Sequence, residues 1–185
     1  MRRVAVWIAT SAGIGYAPVA PGTAGSLLAL AIYYLTRHWT LPEQAALAAG
    51  VTVIGIWAAH QAIHHFGKSD PGPVVVDEVA GQLITLLGTQ AGLKGVIAGF
   101  ILFRAFDIFK PWPVNRLESL PGGTGIMADD IMAGAYACAI LHGVLWLVPG
   151  IRWRIRFASQ RSSRSAPSSS RRIVSTPIRS ISQAS

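Results

Sequence analysis

The chain has 185 residues, 51% of them apolar and only 13% charged, which argues against an ordinary soluble domain with its roughly 25% of charged side chains. The net charge of +8 belongs to one end: residues 1–150 hold eight basic and all eight acidic side chains, and the other eight arginines lie between Arg152 and Arg179. A lone cysteine, Cys138, excludes an intrachain disulfide and a cysteine-rich zinc site.

The first segment, MRRVAVWIATSAGIGYA, has the basic start and short apolar run of a signal peptide. No A-x-A pattern follows nearby, so it is read as part of the fold. Val4–Ile14 leads into a polar island, GIGYAPVAPGTAGS, where Thr23 and Ser26 either cap the next helix or offer donors to a phosphate. Gly25–Leu35 is too short to span a bilayer without its flanks. Gln44–Ala59 gives 16 uncharged residues, opened by Pro42-Glu43, with the acid placed to complement the helix dipole. His60, His64 and His65 follow without a zinc motif, which suits a packing or membrane-edge role.

Val79–Phe103 carries Lys94 near its middle and reads as two helices or one interrupted helix. Ile131–Gly150 gives 20 residues uncharged apart from His142, and it alone meets the length of about 20 apolar residues that a span needs. The segments are rich in Ala and Leu and lack strand alternation, so all are expected to be helical. Gly and Pro gather between them. Cys138, inside an apolar run, reads as a small core residue.

The fold expected is therefore all-α: a compact, membrane-associated helical bundle over residues 1–150. Residues 151–185 hold eleven serines, eight arginines and no acid. They are expected to form a disordered tail, because they cannot bury enough apolar surface to offset the entropy of ordering. The tail reads as a solvated segment without a dedicated role, or else as one whose arginines attract anionic membrane lipids, and its charge argues for a cytoplasmic C-terminus. Nucleic acid is disfavoured as a partner, because no aromatic or folded platform accompanies the charge.

The chemistry must lie with the acids. Glu118 lies in a loop and calls for no special role. Six others form three glycine-flanked groups: Asp70 with Asp77-Glu78, then Asp107, then Asp129-Asp130. A carboxylate entering an apolar helix is costly unless it is paired or bound to metal. Asp77 and Glu78 point about 100° apart on a helix, so they are not both caps. Arg104 and Asp107 share a face, and Lys110 continues it. They read either as an ion-pair ladder or as a metal carboxylate beside two phosphate-holding cations. Gly122 and Gly123 precede Asp129 and Asp130 and permit a turn with exposed N–H groups that binds anions. Carboxylates without a His or Cys ligand set favour Mg²⁺ shared with a substrate phosphate.

GIGYAPVAPGTAGS, DPGPVVVDEVAG, FRAFDIFKPWP and GGTGIMADDIMAGAYA resemble, in order and spacing, the motif set of the phosphatidylglycerophosphatase A family over about residues 5–145. The resemblance implies an all-α bundle in the bacterial inner membrane. It also implies Mg²⁺-dependent hydrolysis of phosphatidylglycerophosphate to phosphatidylglycerol. By motif position it makes Asp77, Glu78, Asp107, Asp129 and Asp130 the metal and catalytic carboxylates. Arg104 and Lys110 would hold the phosphate, helped by Thr23, Ser26, Gly122 and Gly123. The arginine-rich tail departs from the family pattern. Two other classes compete: an ion-transporting or regulatory membrane bundle using the same carboxylates, and a lipid-binding scaffold.

Overall fold

In a computed structural model of the chain, which describes residues 1–147, the apolar segments are helices and no strand occurs among the described residues. Among the described residues seven α-helices follow one another: α1 (Arg2–Ala9), α2 (Pro21–Thr36), α3 (Leu41–Phe66), α4 (Val76–Thr85), α5 (Leu93–Phe109), α6 (Val114–Leu117) and α7 (Gly123–Leu147). A 3₁₀ turn, Ile14–Tyr16, joins α1 to α2. The boundary expected at residue 150 and the tail beyond it lie outside the described residues.

Local chemistry sets the helix ends. The Thr40 amide donates to the Glu43 carboxylate (2.7 Å), half of a capping box that starts α3. Gly67, with φ +67°, stops α3 in the left-handed conformation and donates to the Ile63 carbonyl. The helix thus runs beyond the expected Gln44–Ala59 and takes in all three histidines. The Val79–Phe103 segment proves to be two helices. The break comes before Lys94, at Gly88 (φ +67°), and side chains from other helices satisfy the turn. Gln44 Oε1 accepts the Gly88 N–H (2.9 Å), and the Tyr33 hydroxyl donates to the Thr89 carbonyl (2.9 Å).

Helix α4 lies at the centre, packed on α2, α3, α5 and α7. Its crossing with α7 is close, because Gly81 and Gly134 bring backbone against backbone. Helices α3 and α7 are both long and apolar enough to cross a membrane. They run antiparallel, with the start of α7 against Ile56 and His60 and with Met127 against Gly55. The C-terminal end of α3, the start of α4, the end of α5 and the early turns of α7 therefore meet at one end of the bundle.

Candidate functional site

At that end lies a cavity of about 460 Å³ lined by Asp70, Asp77, Glu78, Asp107, Lys110, Glu118, Asp129 and Asp130, among others. Asp77 and Glu78 stand in the first turn of α4, yet neither side chain caps it. Asp129 and Asp130 directly precede the segment expected to be helical, Ile131–Gly150. Because the helix begins at Gly123, they stand in its second turn, where a capping role is excluded. Both are buried.

Oxygens of Asp77, Glu78 and Asp130 lie within 4.8 Å of one another. Each of these residues has one buried oxygen without a hydrogen-bond partner: Asp77 Oδ1, Glu78 Oε2 and Asp130 Oδ2. Burial holds Asp77 well above the usual carboxylate range, and the charges of Glu78 and Asp130 push it further. Burial also raises Glu78, against the opposing hydrogen bond from Asp77. Three gathered carboxyl groups with open lone pairs are a donor set for a hard cation, which would replace their mutual repulsion with attraction.

The cations flank this cluster in pairs. Arg104 Nη1 lies 2.6 Å from Asp107 Oδ2, without the alignment of a hydrogen bond. Lys110 adopts a left-handed conformation (φ 41°) just past α5. Its ammonium leaves the α5 face and bonds Asp129 Oδ2 and Glu118 Oε2, each at 2.8 Å. Burial disfavours the Lys110 ammonium, but the two carboxylates outweigh that and its pKa is pushed up. Arg104, Asp107 and Lys110 thus form a pair on α5 plus a bridge from Lys110 to α7, and not a ladder along one helix face.

The remaining expected residues are arranged unequally. Gly122 lines the cavity, with φ +68° and the His60 ring behind it. Gly123 is buried against the α3 backbone. Thr23 and Ser26 do not cap α2, which begins at Pro21. Ser26 is fully buried and donates to the Gly22 carbonyl (3.0 Å), and neither residue lines the cavity. The part of that loop that reaches the site is Gly22, where a Cβ would collide with the Glu78 carboxylate and meet Arg104 Nη1 at 3.1 Å.

Two members were missed from sequence. Glu118 has no signal in its own neighbourhood, and the α5–α6 corner alone carries it to Lys110. Gln82, one turn beyond Glu78, is fully buried with both amide atoms unpartnered. Its spacing of four from Glu78 was the legible sign.

Residues 7–145 match the family model described as phosphatidylglycerophosphatase A. The chain belongs to the phosphatidylglycerophosphatase A family. Its relatives include a putative phosphatidylinositol-3-phosphatase of Bacteroides thetaiotaomicron, 42% identical over 154 residues, which cover 77% of this chain and 94% of that one. The phosphatidylglycerophosphatase A of Escherichia coli is 37% identical over 139 residues, covering 73% and 80% of the two chains. That of Haemophilus influenzae is 31% identical over 145 residues, covering 76% and 89%. No solved structure matches. Membership makes the chain a phosphatase, and its two long apolar helices suit association with a membrane.

Proposed function

We propose that the protein hydrolyses the terminal phosphate monoester of phosphatidylglycerophosphate, giving phosphatidylglycerol and phosphate, at the acid-lined cavity and with Mg²⁺. The observation that carries this reading is the gathering of Asp77, Glu78 and Asp130 with one unpartnered buried oxygen on each. Those three residues would hold the cation. When bound, it neutralises phosphate charge and lowers the pKa of water for attack.

The protein's own groups do the rest. Asp129 and Glu118 hold the Lys110 ammonium at the cavity wall, where it can attract a phosphate dianion. Asp129 Oδ1 also accepts the Asp130 N–H (3.0 Å), fixing the α7 acids relative to each other. Asp107 holds Arg104 beside Glu78 and the Gly22 end of α2. Acids gathered at helix ends around one cavity suit head-group hydrolysis better than an ion path, which needs carboxylates distributed along the bundle. The lipid substrate and the two long apolar helices support a location in the cytoplasmic membrane.

The names of the relatives supply two lipid phosphomonoesters to compare. Phosphate release is measured from phosphatidylglycerophosphate and from phosphatidylinositol 3-phosphate in detergent micelles, with Mg²⁺ and then with excess EDTA. The expected result is release from phosphatidylglycerophosphate at least about 10-fold faster, equivalent to about 1.4 kcal/mol, and its loss on chelation. Preference for the inositol lipid would reassign the substrate. Release that survives EDTA would remove the cation from the mechanism. Metal flux into vesicles without lipid turnover would favour the ion path.

Lys110 gives a second check. Lys110→Met should weaken turnover about 100-fold, because it removes the phosphate-side cation and leaves buried Asp129 uncompensated. A variant within 2-fold of the parent would take Lys110 out of phosphate binding.

A further inference from the structure

Gln82 has no role in the site as built so far, and its position asks for one. The residue is 0% exposed, and neither its Oε1 nor its Nε2 has a hydrogen-bond partner. A buried amide with both atoms unpaired is costly and rare, and its retention in a packed helix needs a reason. Turning the amide over changes nothing, because oxygen and nitrogen are alike unpartnered.

Its surroundings narrow the choice of partner. Gln82 lies four residues after Glu78, so the two side chains are neighbours on one face of α4. Glu78 Oε2 is itself buried and unpartnered. Helix α2, which packs on α4, carries a fully buried serine, Ser26, on the stripe formed with Gly22, Ala29 and Tyr33. Its proton is already given to the Gly22 carbonyl. An unused amide donor and an unused carboxylate acceptor thus stand one turn apart inside the protein.

We propose that Gln82 is a positioning residue of the acid site, its amide N–H donating to the Glu78 carboxylate once a divalent cation is bound and so holding that carboxylate on the cation. The proposal rests on the cation site formed by Asp77, Glu78 and Asp130. Groups that hold a ligating carboxylate from behind typically change metal affinity 10- to 100-fold when removed. The amide would do the same from a place that touches neither substrate nor water.

The test is Mn²⁺ binding to the full chain in detergent micelles, comparing the parent with Gln82→Met, which keeps the length and removes both polar atoms. The expected result is about 10- to 100-fold weaker Mn²⁺ binding, with thermal stability in EDTA unchanged or raised. The Mg²⁺ concentration for half-maximal activity should rise by the same factor, while KM for lipid at saturating Mg²⁺ stays put. If the Met variant does not fold, Gln82→Asn withdraws the amide by one methylene and carries the same expectation. Parent-like Mn²⁺ affinity in either folded variant overturns the proposal and makes Gln82 a packing residue of α4. A parent that binds no Mn²⁺ overturns the cation site and this proposal together, which separates the two failures.

Discussion

Asp77→Asn is expected to lower phosphate release about 10³-fold, equivalent to about 4 kcal/mol of transition-state stabilisation, in a protein that folds as well as its parent. The two halves of that result have one cause. Asp77 is buried at the start of α4 with Glu78 and Asp130 close by, and burial followed by those charges raises its pKa. Without a cation, the folded protein therefore holds protons on Asp77 and Glu78 more tightly than the unfolded chain does. Its stability should fall as pH rises above the ordinary values of 3.8 and 4.5. A cation at 100 times its dissociation constant would restore about 2.7 kcal/mol. The asparagine variant removes one titrating carboxyl group, so its melting in EDTA should depend less on pH and should no longer rise with Mg²⁺. Melting curves with and without Mg²⁺ at pH 5 and pH 8, together with turnover, check this directly. A variant that keeps both its Mg²⁺ response and its turnover would show that the cation is not bound at Asp77.

The residues of this site were legible in the sequence because a carboxylate in an apolar helix is expensive enough to stand out. Asp77, Glu78, Asp107, Asp129 and Asp130 all line one cavity. Depth and partners were less legible. Asp129 and Asp130 follow a glycine run that looks like a loop, and only the packing of Gly123 on the α3 backbone shows that α7 has already begun. Lys110 follows Asp107 at helical spacing, but the helix ends at Phe109 and the left-handed residue turns its ammonium to Asp129 instead. A three-residue spacing says which groups share a face while the helix lasts; Pro111 marks where it stops. Ser26 could be read as a cap or as a phosphate donor because serine favours the N-terminal border of a helix. With Pro21 at the first turn, the serine is interior and bonds back to Gly22.

Gly134→Ala tests whether the crossing of α4 and α7 sets the geometry of the site, and one methyl group should suffice. A Cβ on Gly134 would collide with the Gly81 carbonyl and meet the Gly81 Cα at 3.0 Å. These are backbone atoms, which cannot rotate aside as a flexible side chain would. From the other helix, a Cβ on Gly81 would lie 2.6 Å from the Asp130 carbonyl oxygen and 2.5 Å from Phe103 Cε2. The two helices must therefore separate to admit the methyl, at a cost of about 1–3 kcal/mol from overpacking. Asp77 and Glu78 ride on α4, and Asp129 and Asp130 on α7. Separation would thus spread the carboxylates that lie within 4.8 Å of one another, and a displacement of about 1 Å can lower a rate about 100-fold. The expected variant melts lower than its parent, binds Mn²⁺ more weakly and turns over about 100-fold more slowly. The control is Gly143→Ala, toward the other end of α7, where nothing lies within 4 Å of the added Cβ and activity should stay within about 2-fold, stability within about 0.5 kcal/mol. If Gly134→Ala loses stability but keeps its Mn²⁺ affinity, the crossing supports the fold without shaping the site. If it loses affinity and Gly143→Ala does not, the close approach of α4 and α7 is what holds the acids at cation-binding distance.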